Sequence, residues 1–165
     1  MRLRRRSPPE ARPGAPRLLV PFAGGQLDPA VFAAALRIAR ADGAVFVPAY
    51  LIIVPFTQAL DSPLRQEVEV ALPLLEAVEV RAQEEGVPVD ARLERGRSVR
   101  DALRRLWEVE SFDRILIPVS ADERFGFDAR DIAWILMNAP AETLALRPAE
   151  GSVRPAFAPA QGVRE

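Results

Sequence analysis

Residues 44–54, AVFVPAYLIIV, form an almost wholly apolar run. A strand with one wet face alternates apolar and polar side chains, so an unbroken run of this length reads as a strand covered on both sides, inside a parallel sheet flanked by helices. Pro48 is the awkward member, because proline cannot donate to the ladder of an interior strand. A second buried run at 113–119 is followed by a helical pattern at 128–138, which puts the intervening loop at the carboxyl end of the sheet, where such folds hold ligands. A phosphate loop there needs glycines, since a backbone without Cβ can approach phosphate oxygens and aim several N–H groups at them. The loop at 120–128 reads SADERFGFD, with one glycine, Gly126, and three acids.

A chain of 165 residues that is 49% hydrophobic can bury one good core and is too short for two ordinary domains. It contains no cysteine and no histidine, and its 22 basic residues are all arginine. That composition excludes disulfides, Cys-rich zinc sites, thiol and Ser-His-Asp nucleophiles, lysine Schiff bases and a P-loop lysine. The formal net charge of −1 gives no global attraction to nucleic acid or membrane. No apolar run reaches the length of a membrane span, and Arg2, Arg4, Arg5 and Arg6 lead into prolines rather than a signal core; a cytoplasmic protein is expected.

Residues 1–16 mix arginine with Pro8, Pro9, Pro13 and Pro16, and 148–165 are broken by Pro148, Gly151, Pro155, Pro159 and Gly162. Both read as flexible tails around a folded unit at 17–147. Within that unit, 17–22 is a short strand. Asp28 and Pro29 signal a helix start, with Gly43 as its stop. Ser62 and Pro63 open a second helix that Pro73 should kink and Gly86 should end. Residues 87–95 read as a third strand, Ser98 with Asp101 as a capping box for a helix to about Val109, and 142–147 as a final strand. The alternation predicts a parallel α/β sheet with helices on both faces.

Over 17–147 the chain resembles the universal stress protein family. The resemblance is carried by LLVPFAGG at 18–25, DGA at 42–44, GRS at 96–98, FDRILIP at 112–118, NAP at 138–140 and LALR at 144–147. It implies an open five-stranded parallel sheet, order 3-2-1-4-5, Rossmann-like, commonly dimeric through the last strand and associated with stress survival. ATP-binding members share two features from which this sequence departs. The acid that ends their first strand corresponds to Ala23. Their G-x-x-G-x9-G-[ST] loop meets Pro118 and Ala121 near its first two glycines, and Ala129, Arg130 or Asp131 near its last pair.

Asp128 and Asp131 should satisfy the N–H groups and positive end of the last helix, and so compete with a triphosphate. The expected reading is a dimeric binding or regulatory module with a lost or weakened ATP site and no cofactor. The rival is an ATP- or AMP-binding protein, or slow ATPase, with a loop rebuilt around Arg124 and Arg130. Ala23, Gly24, Gly25, Val119, Ser120, Ala121, Arg124, Gly126 and Arg130 are the candidate lining of the crevice. Thr143, Leu144, Ala145 and Leu146 are the candidate homodimer edge, and an unidentified protein partner stays open.

Weaker signals have plainer readings. The glycine turn before Asp28 resembles a pyrophosphate loop but lacks its serine. Asp113, Asp122, Glu123 and Asp128 would be a magnesium set only with phosphate to complete it. Arg2 to Arg6 lack the interleaved aromatics of a nucleic-acid arm. Trp107 and Trp134 read as packing residues, whereas Phe125 and Phe127, in a loop that should be polar, are expected to cover the crevice.

Overall fold

The computed structural model describes residues 9–119 and 127–147. In chain order the elements are β1 (Arg17–Phe22), α1 (Pro29–Asp42), β2 (Val45–Ile53), α2 (Arg65–Glu84), β3 (Arg92–Gly96), α3 (Val99–Val109), β4 (Arg114–Pro118), α4 (Ala129–Asn138) and β5 (Glu142–Leu146). The strands form one parallel sheet in the order β3-β2-β1-β4-β5, as the resemblance implied. α1 and α2 bury Val31, Ala35, Ala71 and Val78 against one face, over Val20, Phe22 and Phe46. α3 and α4 bury Leu103, Leu106 and Ile135 against the other, over Leu19, Val47 and Ile117.

Proline sets the length of the third strand. Expected at 87–95, it begins instead at Arg92. Phe46 donates to the Pro88 carbonyl and accepts from the Asp90 amide, forming an isolated bridge to Val89. The continuous ladder then resumes at Ala49↔Arg92 in the same register. Alternate residues of a parallel strand face the same neighbour, so the N–H that Pro48 lacks falls in this gap. The residue that looked out of place in an interior strand thus interrupts its ladder.

Helix boundaries follow local chemistry. Asp28 caps α1 by accepting from the Ala30 amide at 2.7 Å, with Pro29 in the first turn and Gly43 in the left-handed conformation at the end. α2 does not open at Ser62 and Pro63 as expected. Ser62 lies in a turn, its amide bonded to the Ala59 carbonyl and its own carbonyl held by Arg95 Nη1. Leu64, buried and at φ 44°, is the residue that leads into the helix. Pro73 lies inside one continuous helix, where it leaves the Glu69 carbonyl without its usual amide.

Where β3 turns into α3 the backbones touch. A Cβ on Gly96 would lie 2.4 Å from the Ala102 amide nitrogen, so no larger residue fits without movement. At the other end of the sheet, Arg17 bridges Asp90 and Glu110, and Arg92 pairs with the same two carboxylates. Burial alone would raise the Asp90 pKa, but these guanidiniums outweigh it and hold the carboxyl below its usual range. Of the segment expected as an N-terminal tail, Pro16 accepts from the Val45 amide and Ala15 packs against the second core. Residues 1–8 and 148–165 lie outside the described residues.

Candidate functional site

The strand order reverses between β1 and β4, and there the pairing is short: Leu18↔Arg114 and Leu19↔Ile115. The cause is readable in the backbone. Val45 donates to Pro16, which turns 17, 19 and 21 of β1 toward β4; Val119 donates to Leu146, which turns 114, 116 and 118 of β4 toward β1. Pro21 and Pro118 therefore both direct a missing N–H into the same seam. With no donor from either strand the ladder stops, and the sheet opens into a crevice at its carboxyl end, the place where open α/β sheets bind ligands.

On the β1 side of the crevice lies the turn Ala23, Gly24 and Gly25. Both glycines have positive φ, 75° and 78°, which a side chain would strain. Gly25 faces Tyr50 and Val70: a Cβ there would sit 3.7 Å from the Tyr50 hydroxyl and 3.4 Å from Val70 Cγ1. Tyr50 also packs edge-on against Phe22, with ring centroids 5.3 Å apart. Burial pushes the Tyr50 pKa up, the Gly25 backbone hydrogen bond opposes that shift, and the Glu67 carboxylate adds to it. Ala23 is partly buried, and the turn Ala23 to Gly25 carries no carboxylate of its own.

Across the crevice, α4 closes its own first turn. Asp128 is the N-cap and accepts from the Asp131 amide at 2.7 Å. Asp131 in turn receives Arg100 Nε at 3.0 Å, tying α3 to α4. Phe127, just before the cap, is buried in the core beside Ile132 of the helix's first turn, the placement of a hydrophobic staple. Arg130 is exposed, and Val119 is partly buried at the end of β4. Phe127, one of the two loop aromatics expected to cover the crevice, is buried in the core shared by α3 and α4. Ser120, Ala121, Arg124, Phe125 and Gly126 lie outside the described residues.

Asp113 does not join Asp128: it accepts from the Arg17 amide at the opposite end of β4. No cluster of three metal-ligating side chains occurs among the described residues. Trp107 and Trp134 stack at 5.6 Å and 7° between α3 and α4, as packing residues do, with Arg104 over the Trp134 ring.

Comparison with solved structures follows the same outline. A universal stress protein family structure from Burkholderia pseudomallei matches with a TM-score of 0.61 and 21% identity, covering 82% of this chain and 97% of that one. The fold is that of the universal stress proteins. A universal stress protein from Archaeoglobus fulgidus gives 0.54 and 19%, over 79% of this chain and 92% of that one. A universal stress protein crystallised in complex with cAMP gives 0.56 and 18%, over 81% and 97%. No family model and no curated protein matches the chain.

Sequence reasoning missed Tyr50 and Arg97. Tyr50 is the chain's single tyrosine, in an otherwise apolar strand, and a buried hydroxyl needs a partner. Arg97 donates from Nη1 to the carbonyls of Pro55 and Gln58, at 2.5 and 2.8 Å, and its guanidinium lies over the exposed Phe56 ring. It thereby holds the loop after β2 in shape; nothing in its spacing announces this.

Because Tyr50 is the sole tyrosine, its phenol can be followed directly by ultraviolet absorbance. A raised folded pKa means that the native state holds the proton more tightly, so stability is intact below the ordinary value of 10.0 and declines as pH rises through the folded value. The titration midpoint should lie above 10.0 in the native protein and return to it in denaturant. A native midpoint at or below that value would contradict the buried placement.

Proposed function

We propose that the chain is a dimeric binding or regulatory domain of the stress response, in which the crevice between β1 and β4 has lost or weakened its ATP site. The observation that carries this reading is the first turn of α4. In a phosphate site the free N–H groups and positive end of a helix meet the ligand. Here Asp128 takes the Asp131 amide and places carboxylate charge at the position a phosphate would occupy. Ala23 removes the acid on the opposite strand.

One observation favours a nucleotide reading. Arg130 is exposed in the first turn of α4 and has no ion pair among the described residues, and a solved neighbour of the same fold holds cAMP. A loop rebuilt around Arg124 and Arg130 would then meet the phosphate by charge-assisted pairing rather than through glycine amides. Thermal unfolding separates the two readings. A ligand at one hundred times its dissociation constant stabilises by about 2.7 kcal/mol. Millimolar Mg-ATP should leave the melting temperature within about 1 °C of the unliganded protein; for a domain of this size a rise of several degrees, absent with inorganic phosphate, would establish the nucleotide reading instead.

The dimer half of the proposal is supported by the contrast between the two sheet edges. β3, RLERG, is charged, and the outward Arg95 amide is taken by Glu94 Oε1 at 3.1 Å. β5, ETLAL, carries a single charge, Glu142 at its start, and is otherwise uncharged. Since Leu146 faces β4, Thr143 and Ala145 turn their backbone groups outward. Among the described residues these outward groups have no partner; such an edge is a pairing surface, and a second copy about a two-fold axis, or the segment after Pro148, would cover it. Light scattering at tens of micromolar should give twice the chain mass. Ala145→Pro removes an outward N–H without touching the bonds to β4 and should give the monomer; a monomeric parent protein would overturn the dimer.

A further inference from the structure

α4 is apolar on every side and covered on few. Residues 132–137, IAWILM, run without a polar side chain, yet Ile135 alone of the helix is buried. A helix of that composition is normally enclosed. Its contacts fix its orientation. Ile135 faces the sheet, and Asp131 and Trp134 face α3 through Arg100 and Trp107. At about 3.6 residues per turn, Ala129, Ala133 and Leu136 lie on the side away from α3, toward the β5 edge. All three are exposed, Leu136 by 51%. β5 is open on the same face: Leu144 and Leu146 pack against the α1–α2 core, so Thr143 and Ala145 turn toward α4, and Ala145 is exposed.

We propose that this side of α4 is a contact to a second copy of the chain, in a two-fold dimer centred on Leu144. The inference rests on the dimer reading given above and fixes its register. Outward backbone groups belong to Thr143 and Ala145. With Leu144 on the axis, Thr143 lies opposite Ala145 of the second copy, and both residues of each chain find a partner within the strand. An axis on Thr143 or Ala145 would use only one of them. The central axis stands perpendicular to the joined sheet, so both α4 helices keep to one face and run antiparallel. Because α4 returns from the end of β4 to the start of β5, Leu136 in its last turn comes over Ala145 of the second copy, whose small side chain leaves room for it. A five-residue ladder spans only about 17 Å, whereas stable interfaces bury roughly 1,200–2,000 Å². The strands alone fall short of that area, and the two α4 faces supply its apolar part.

The chain has no cysteine, so one introduced thiol can bridge only to its twin. In the full chain, Leu144→Cys places the two thiols at a non-hydrogen-bonded pair, with Cα atoms about 4.5 Å apart, and should give a disulfide-linked dimer under mild oxidation. Ala145→Cys, diagonal to its twin, should not. Leu136→Arg, at a half-exposed position, should keep the circular dichroism of the parent and raise the dimer dissociation constant at least about tenfold by sedimentation equilibrium. Crosslinking through Ala145→Cys in place of Leu144→Cys, or a Leu136→Arg variant that dimerises as the parent does, would overturn this inference and leave the dimer reading intact. A monomeric parent protein, its edge then covered by the segment after Pro148, would overturn both.

Discussion

The sheet of this protein is shaped by three hydrogen bonds that cannot form. Pro48 interrupts the ladder between β2 and β3 and delays the third strand to Arg92. Pro21 and Pro118 withhold their donors from one seam, so β1 and β4 pair over two residues and then part. In an interior strand each missing N–H is a local loss, of the order of a net hydrogen bond, about 0.5–1.5 kcal/mol. The two-sided apolar cores offset it, and in return the crevice is placed where the strand order reverses.

What stands at that crevice is a helix start that supplies its own ligands. The cap from Asp128, the Arg100 contact to Asp131 and the burial of Phe127 and Ile132 in one core are mutually consistent, and the two carboxylates oppose an anion. This is the physical basis for the proposal that the ATP site is lost or weakened. On the other strand, Gly24 and Gly25 keep a turn whose backbone would tolerate close approach, but Ala23 brings no carboxylate to it. The scaffold of the fold is present, and the proposal is that it no longer holds a triphosphate.

Much of this was legible in the sequence because it rests on short-range chemistry. Asp28 with Pro29, Ser98 with Asp101, and Asp128 before an apolar helix each announce a helix start through backbone N–H groups that need an acceptor. The unbroken apolar runs gave the strand type, and the resemblance supplied the strand order that the structure has. The failures were long-range. The start of β3 depends on Pro48, more than forty positions away in the chain; the start of α2 depends on Arg95 holding Ser62. Tyr50 and Arg97 act on groups far along the chain, Gly25, Pro55 and Gln58, and no periodicity encodes such pairs.

The central claim is that the Asp131 and Ile132 amides of α4 are already taken by Asp128, whose carboxylate stands at the helix start. Its most direct test is a titration of the nitrogen-15-labelled protein with Mg-ATP, reading the Asp131 and Ile132 amides against those of Gly24 and Gly25. The account predicts no saturable shift at Asp131 or Ile132 up to millimolar nucleotide, and a perturbed Asp131 amide in Asp128→Ala even without ligand. A saturable shift of the Asp131 amide with a dissociation constant in the micromolar range, in the unaltered protein, would show the helix end to be open to phosphate and would contradict it.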